Sequence, residues 1–137
     1  MTVVDASVMV SALHPGDVNH QVSRAWLDQH INDGRPIVGP YLLLSEIAGA
    51  IARVTGEPVV AHAAVAAVLA LPSSILIPDA GQPPPLATQL AADLHLRGAD
   101  ATYVAVAVQM EMELVTWDRE QLDRGAHRVI TRRPDGS

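Results

Sequence analysis

The sequence predicts a three-layer α/β/α domain around a short, mostly parallel sheet of five strands. Apolar, β-branched runs bounded by turn formers alternate with longer segments of helical period. Each run is apolar throughout instead of alternating, as strands covered on both faces read. With 137 residues, 49% of them hydrophobic, the chain suits one compact domain with its own core.

The elements follow in order. "TVVDA" at residues 2–6 reads as the first strand, and helical segments follow at about Val8 to Leu13 and Gln21 to Ile31, where "NDGRP" stops the chain. "PIVG" is a short second strand. Pro40 suits a first helical turn and opens "YLLLSEIAGAIARVTG", with Gly56 where helices usually end. Pro58 starts an Ala-rich helix reaching about Leu71, and "SSILIP" is the third strand. "DAGQPPP" reads as a rigid loop before a helix from about Leu86 to Leu96. "GADATYVAVAVQMEM" is the next helix, "LVTW" the fourth strand, "DREQLDRG" a short helix and "HRVIT" the fifth strand. A single domain is expected over residues 1–133, and "PDGS" at 134–137 is expected to be a disordered tail.

Composition narrows the classes. Without cysteine there is neither a disulfide framework nor a thiolate metal site. "MTVVDASVMV" lacks a basic leader and carries an acid within its apolar run, against a secretory signal. The most apolar helical segment, "PVVAHAAVAAVLAL", falls well short of the ~20 residues a membrane span needs. A soluble cytoplasmic protein, not a membrane one, is therefore expected. All nine basic residues are Arg, against fifteen acids and a formal net charge of −6. That balance disfavours broad, nonspecific nucleic-acid binding but permits a local arginine rim around an acidic site. "RGAHRVITRR" is the one basic cluster and reads most simply as a solvated edge. The histidines are scattered without zinc spacing, and no Gly-rich phosphate loop is present.

Four acids sit where a packed domain should not want them. Asp5 follows the first strand, and Asp118 follows "LVTW". Glu46 has Leu42, Leu43, Gly49 and Ala50 as its helical neighbours, and Asp100 has Tyr103, Val104, Ala107 and Val108, so both lie on apolar stripes. Burying an ionised carboxylate without a partner costs several kcal/mol or forces protonation. Structural roles are open to each: an Asx turn or N-cap for Asp5, an ion pair for Glu46, a favourable helix-dipole position for Asp100, and a capping box with Gln121 for Asp118. Taken together they suggest another role. In a doubly wound parallel sheet the carboxyl ends of the strands open toward one crevice. Like charges gathered there need a compensating cation, and Mg²⁺ or Mn²⁺ suits oxygen ligands.

"VVDAS", the Glu within "LLLSEIAGA", "RGADATYVAVA" and "LVTWD" resemble, in order and spacing, the PIN-domain ribonucleases, specifically the VapC-type toxins of bacterial toxin–antitoxin pairs. The resemblance spans essentially the whole chain. It implies a PIN-like fold, an acidic quartet of Asp5, Glu46, Asp100 and Asp118 serving as catalytic and metal-binding residues, and Thr116 as the supporting hydroxyl, with Ser7 beside it. It also implies a Mg²⁺- or Mn²⁺-dependent endoribonuclease that cuts structured RNA such as tRNA or ribosomal RNA, forms a homodimer and is neutralised by a cognate VapB-type antitoxin. Asp5 and Asp100 are the expected direct ligands, Asp118 a direct or water-bridged one, and Glu46 a ligand or the orienter of the attacking water. Arg97 and Arg119, each next to an acidic motif, are candidate phosphate contacts.

Two other readings compete. A haloacid dehalogenase-type phosphatase also starts with a strand ending in Asp, but it needs a second Asp where this chain has Ser7, and a Lys that this chain lacks. A non-catalytic metal-binding interaction module would keep the ion without the chemistry. An acidic pocket also attracts arginine. The antitoxin is thus expected to insert arginines near the quartet and lay an apolar segment along a helical groove, for which Trp26, Leu27 and Ile31 are candidates alongside the dimer face or plain core.

Overall fold

The computed structural model describes residues 1–78 and 85–137. Its elements run β1 (Thr2–Val4), α1 (Ala6–Leu13), α2 (His20–Asn32), β2 (Ile37–Pro40), α3 (Leu42–Thr55), α4 (Pro58–Leu69), β3 (Ser74–Ile77), α5 (Pro85–Leu94), α6 (Gly98–Met110), β4 (Glu113–Val115), α7 (Arg119–Gly125) and β5 (Thr131–Arg132). The strands form one sheet in the order β3-β2-β1-β4-β5, every neighbouring pair parallel. The loop expected at 79–85 lies outside the described residues except for Pro85, which opens α5.

Every residue of β1 and β2 is buried. Successive strand residues face opposite sides, so both faces of the central sheet are covered. Helix α6 packs against β1, β2 and β4, while α3 packs on β2 and carries α1 and α4 beside it. Val3, Val4, Val38, Ile47, Tyr103, Val104 and Leu114 are among the core residues that join these layers. The chain winds from β1 out to β3 and then returns to the other side of β1 at β4. That reversal leaves a crevice beyond the carboxyl ends of β1 and β4.

Local sequence explains most boundaries. Gly56 ends α3 in the left-handed conformation, φ 70°, which glycine adopts without strain. Pro58 opens α4, as its missing N–H and fixed φ allow. Pro40, expected in the first turn of α3, is instead the last residue of β2 in register with Ile77; the next ladder donor is Tyr41 N, 3.1 Å from Ile77 O. A proline can close a strand this way because the neighbouring N–H carries on the pairing. The fifth strand, expected at 127–131, begins only at Thr131: the amides of His127, Arg128 and Val129 bond back to Arg124 and Gly125, extending the turn after α7. Leu27 is core, and Trp26 and Ile31 lean on the core half-buried, Trp26 with its ring 4.1 Å from that of His30. Packing therefore claims Leu27, while Trp26 and Ile31 keep part of their surface exposed. Among the described residues no helix is long and apolar enough to cross a membrane.

Candidate active site

Register builds the site first. Val4 pairs with Val115, so the residues that follow, Asp5 and Thr116, leave the sheet side by side. Thr116 is fully buried, and its hydroxyl donates to Asp5 Oδ2 at 3.1 Å while accepting from Asp118 N–H at 2.9 Å. One threonine thus ties the ends of two strands to the start of α7.

Asp5 takes the N-cap position expected of it. As N-cap of α1 its Oδ2 accepts from Ser7 N at 3.1 Å, and its Oδ1 accepts from Gln121 Nε2 at 3.0 Å. Ser7 is held in turn: its Oγ accepts from Trp117 N at 3.0 Å and lies 3.4 Å from Thr116 Oγ1. Asp118 caps α7 through Gln121 N at 2.8 Å. Asp100, in the first turn of α6, makes no cap there; its Oδ1 accepts from Gln121 Nε2 at 2.9 Å, while its Oδ2 is buried with no hydrogen-bond partner. Glu46 reaches in from α3, its Oε1 accepting from Tyr103 O–H at 2.6 Å.

These residues share one wall. Asp5, Glu46, Asp100 and Asp118 line a single cavity of about 370 Å³, together with Ser7 and Arg97. Arg97 Nε stands 3.7 Å from Asp100 Oδ2, too far for a hydrogen bond, with its side chain 80% exposed. Arg119 is exposed at the start of α7 and is not part of the cavity lining. The expected quartet therefore comes together, one arginine joins its rim, and the other stays outside.

The electrostatics reflect crowding. Burial pushes the Glu46 carboxyl above the usual range, the Tyr103 hydrogen bond opposes this, and the charges of Asp5 and Asp100 push it up further. Burial does the same to Asp100, opposed by Gln121 and reinforced by Asp118 and Asp5. Burial and the neighbouring carboxylates drive the Tyr103 phenol far above its ordinary value, so it remains a donor. Two carboxyls are thus held against their ionised forms.

A hard cation would reverse this. The donors are all oxygen, Asp5 is buried, and Asp100 Oδ2 is an unused buried acceptor, which fits Mg²⁺ or Mn²⁺ in donor chemistry. Yet among the described residues no three acidic or histidine side chains converge to hold one ion. Instead the Gln121 carboxamide bridges Asp5 and Asp100, and Glu46 is bound to Tyr103.

Gln121 and Tyr103 are the residues that sequence reasoning missed. Gln121 was visible only as a capping partner of Asp118, and Tyr103 only as part of the apolar stripe of α6. A buried glutamine three residues after an acid was the available signal, because a buried amide requires partners.

Comparisons with known proteins agree with this architecture. The chain is similar in structure to PAE2754 of Pyrobaculum aerophilum (24% identity, 95% of this chain and 82% of that one, TM-score 0.69). It is likewise similar to the sarcin–ricin loop cleaving toxin VapC20 of Mycobacterium tuberculosis (19%, 95% and 97%, 0.70). A third likeness is to VapBC2 of Rickettsia felis, bound to a DNA fragment from its promoter (12%, 96% and 97%, 0.72). No curated protein matches the sequence. The model of the PIN domain matches residues 2–127, nearly the whole chain, and the protein accordingly belongs to the PIN-domain family.

Proposed function

We propose that this protein is a divalent-cation-dependent endoribonuclease of the VapC toxin type, cutting structured cellular RNA and silenced by a VapB-type antitoxin. PIN domains are generally nucleases, and the reading rests on one observation above all. Carboxylates from three separated regions of the chain and a fourth at the start of α7 line one cavity in which two of them resist ionisation. Capping accounts for Asp5 and Asp118 but not for the raised carboxyls of Glu46 and Asp100 beside them.

Asp5 and Asp100 would hold Mg²⁺ or Mn²⁺, with Asp118 and Glu46 completing the set. When bound, the ion supplies Lewis-acid polarisation of the phosphate and a more acidic water. The chain's own contribution is positional. Thr116, Ser7 and Gln121 fix Asp5, so its geometry is set before substrate arrives. Glu46, held by Tyr103 O–H at 2.6 Å, would orient the attacking water, whose proton passes to solvent while the departing ribose oxygen takes one from solvent. Arg97 at the rim contacts a phosphate oxygen.

The reading extends to a homodimer working in the cytoplasm as a single domain over residues 1–133, with an antitoxin arginine directed into the acids. The relative from Rickettsia felis is itself a toxin–antitoxin complex.

Asp5→Asn and Asp100→Asn are each expected to lower RNA cleavage about 100-fold or more while the fold survives. Cleavage should vanish with a chelator and return with Mn²⁺. Undiminished cutting by both variants rejects the assignment; cation binding without any cutting favours a non-catalytic interaction module instead.

A further inference from the structure

Beside the acidic cavity lies a larger one of about 500 Å³, which shares Ser7, Glu46 and Trp117 with it and continues to Asn19, Gly49 and Arg53. The chemistry above uses none of the last three. We propose that this second cavity is a subsite for an unpaired nucleotide next to the scissile phosphate, with Trp117 as the wall on which its base stacks and Arg53 as its phosphate contact. The inference rests on the ribonuclease reading of the acidic cavity.

Continuity is the first support. Glu46 and Trp117 belong to both cavities, so a strand whose phosphate meets the acids extends its neighbouring nucleotide into the larger space. Charge is the second. Arg53 is exposed, makes no ion pair among the described residues, and is the only cation lining either cavity apart from Arg97. A cation beyond the acids suits a polyanion that must be attracted past them.

Gly49 supplies the third. Glycine is a poor residue inside a helix, and here no positive φ requires it. A Cβ at this position would stand 3.1 Å from Arg53 Nη1. Its missing side chain both keeps the cavity open and lets the guanidinium fold back along α3 over Gly49.

Trp117 is fixed on two sides. Its indole Nε1 donates to Ser23 Oγ at 2.7 Å, with that oxygen 2.6 Å from Ser11 Oγ, and its backbone N–H is bound to Ser7. Rigid aromatic walls receive bases with little regard to sequence. A paired base keeps its faces stacked within the helix, so an unpaired one is the better fit. The lining mixes Ala6, Val10, Ala50 and Trp117 with Asp17, Asn19, Ser45 and Arg53, and a wholly apolar antitoxin segment would leave those polar groups without partners.

The test uses fluorescence anisotropy in EDTA, where cleavage is suppressed, with a labelled single-stranded RNA of about ten nucleotides and the matching duplex. The intact protein should prefer the single strand. Arg53→Gln and Gly49→Leu should each weaken that binding about tenfold, without lowering the thermal midpoint, since leucine is the better helix former. Gly49→Leu leaves charge unchanged, so weakening confined to Arg53→Gln means general electrostatics and overturns the subsite. Unchanged RNA binding in both variants overturns it as well, even if antitoxin inhibition is weakened. Cleavage with Mn²⁺ is scored separately. Binding sensitive to both substitutions in a protein that cuts no RNA would end the nuclease reading and leave the nucleotide cavity standing; normal cutting with insensitive binding would do the reverse.

Discussion

Between Asp5 and Asp100 stands the carboxamide of Gln121, fully buried, with one N–H directed to each carboxylate. It supplies positive edge to two acids that otherwise repel, and it fixes their orientation as outer-shell partners fix metal ligands. Gln121→Leu is expected to weaken Mn²⁺ binding about 10–100-fold in a calorimetric titration. Gln121→Glu should act oppositely on the two states, lowering thermal stability in EDTA and enlarging the rise on adding Mn²⁺. Unaltered Mn²⁺ affinity in Gln121→Leu would reduce the residue to packing. The raised carboxyls carry a second prediction. Glu46 and Asp100 bind protons more readily in the folded state than at their ordinary values of 4.5 and 3.8, so their ionisation destabilises the ion-free fold at neutral pH. Stability from this source rises as pH falls toward those ordinary values. His30 acts in the opposite direction: burial lowers its proton affinity, and stability is lost as pH falls below the ordinary 6.5. Comparison with the Glu46→Gln/Asp100→Asn double variant cancels the histidine. In EDTA the variant should be the more stable at neutral pH, and the gap should narrow on acidification and close only below the ordinary 3.8 of Asp100; a gap that widens on acidification contradicts the assignment.

At the scale of elements, the decisive joint is the one between β1, β4 and α7. Thr116 receives the Asp118 N–H and gives its proton to Asp5, so a single hydroxyl sets the register of three segments. Thr116→Val keeps the shape and removes both bonds, leaving a buried N–H and a carboxylate oxygen short of a partner, at a cost of about 1–3 kcal/mol. Denaturant unfolding should show that loss and Thr116→Ser should recover most of it; a valine variant as stable as the parent would mean the relay is incidental. Asp5 was legible in the sequence because it directly follows a short apolar run, where a parallel sheet opens, whereas Thr116 came only from the family resemblance. Pro40 and the fifth strand were misplaced for local reasons. Proline suits a helix start and a strand end about equally, and "HRVIT" has strand composition while its first amides are taken by the turn after α7. Tyr103 was hidden by the same periodicity that exposed Asp100, since both lie on the buried stripe of α6.

For the whole molecule, the net charge of −6 is concentrated in its effect at the crevice, where four acids face one space. Sequence pattern was enough to gather them because topology does the gathering: the β3-β2-β1-β4-β5 order places the reversal at β1 and β4. It could not reveal how the side chains stand without a cation, since Gln121 and Tyr103 bridge residues far apart in the chain. That distinction makes a global measurement informative. An ion that binds only the folded state stabilises it by about 2.7 kcal/mol at a hundred times its dissociation constant. For a domain of this size such a gain raises the melting midpoint by about 5–10 °C. Monovalent salt at equal ionic strength screens the repulsion but cannot occupy the crevice, so its effect should be far smaller. Mn²⁺ should therefore raise the midpoint strongly in the intact protein and weakly in Asp100→Asn, whose neutral amide removes a ligand. If sodium chloride reproduces the Mn²⁺ shift, or Asp100→Asn retains it in full, the acids are a diffuse negative surface and not a cation site.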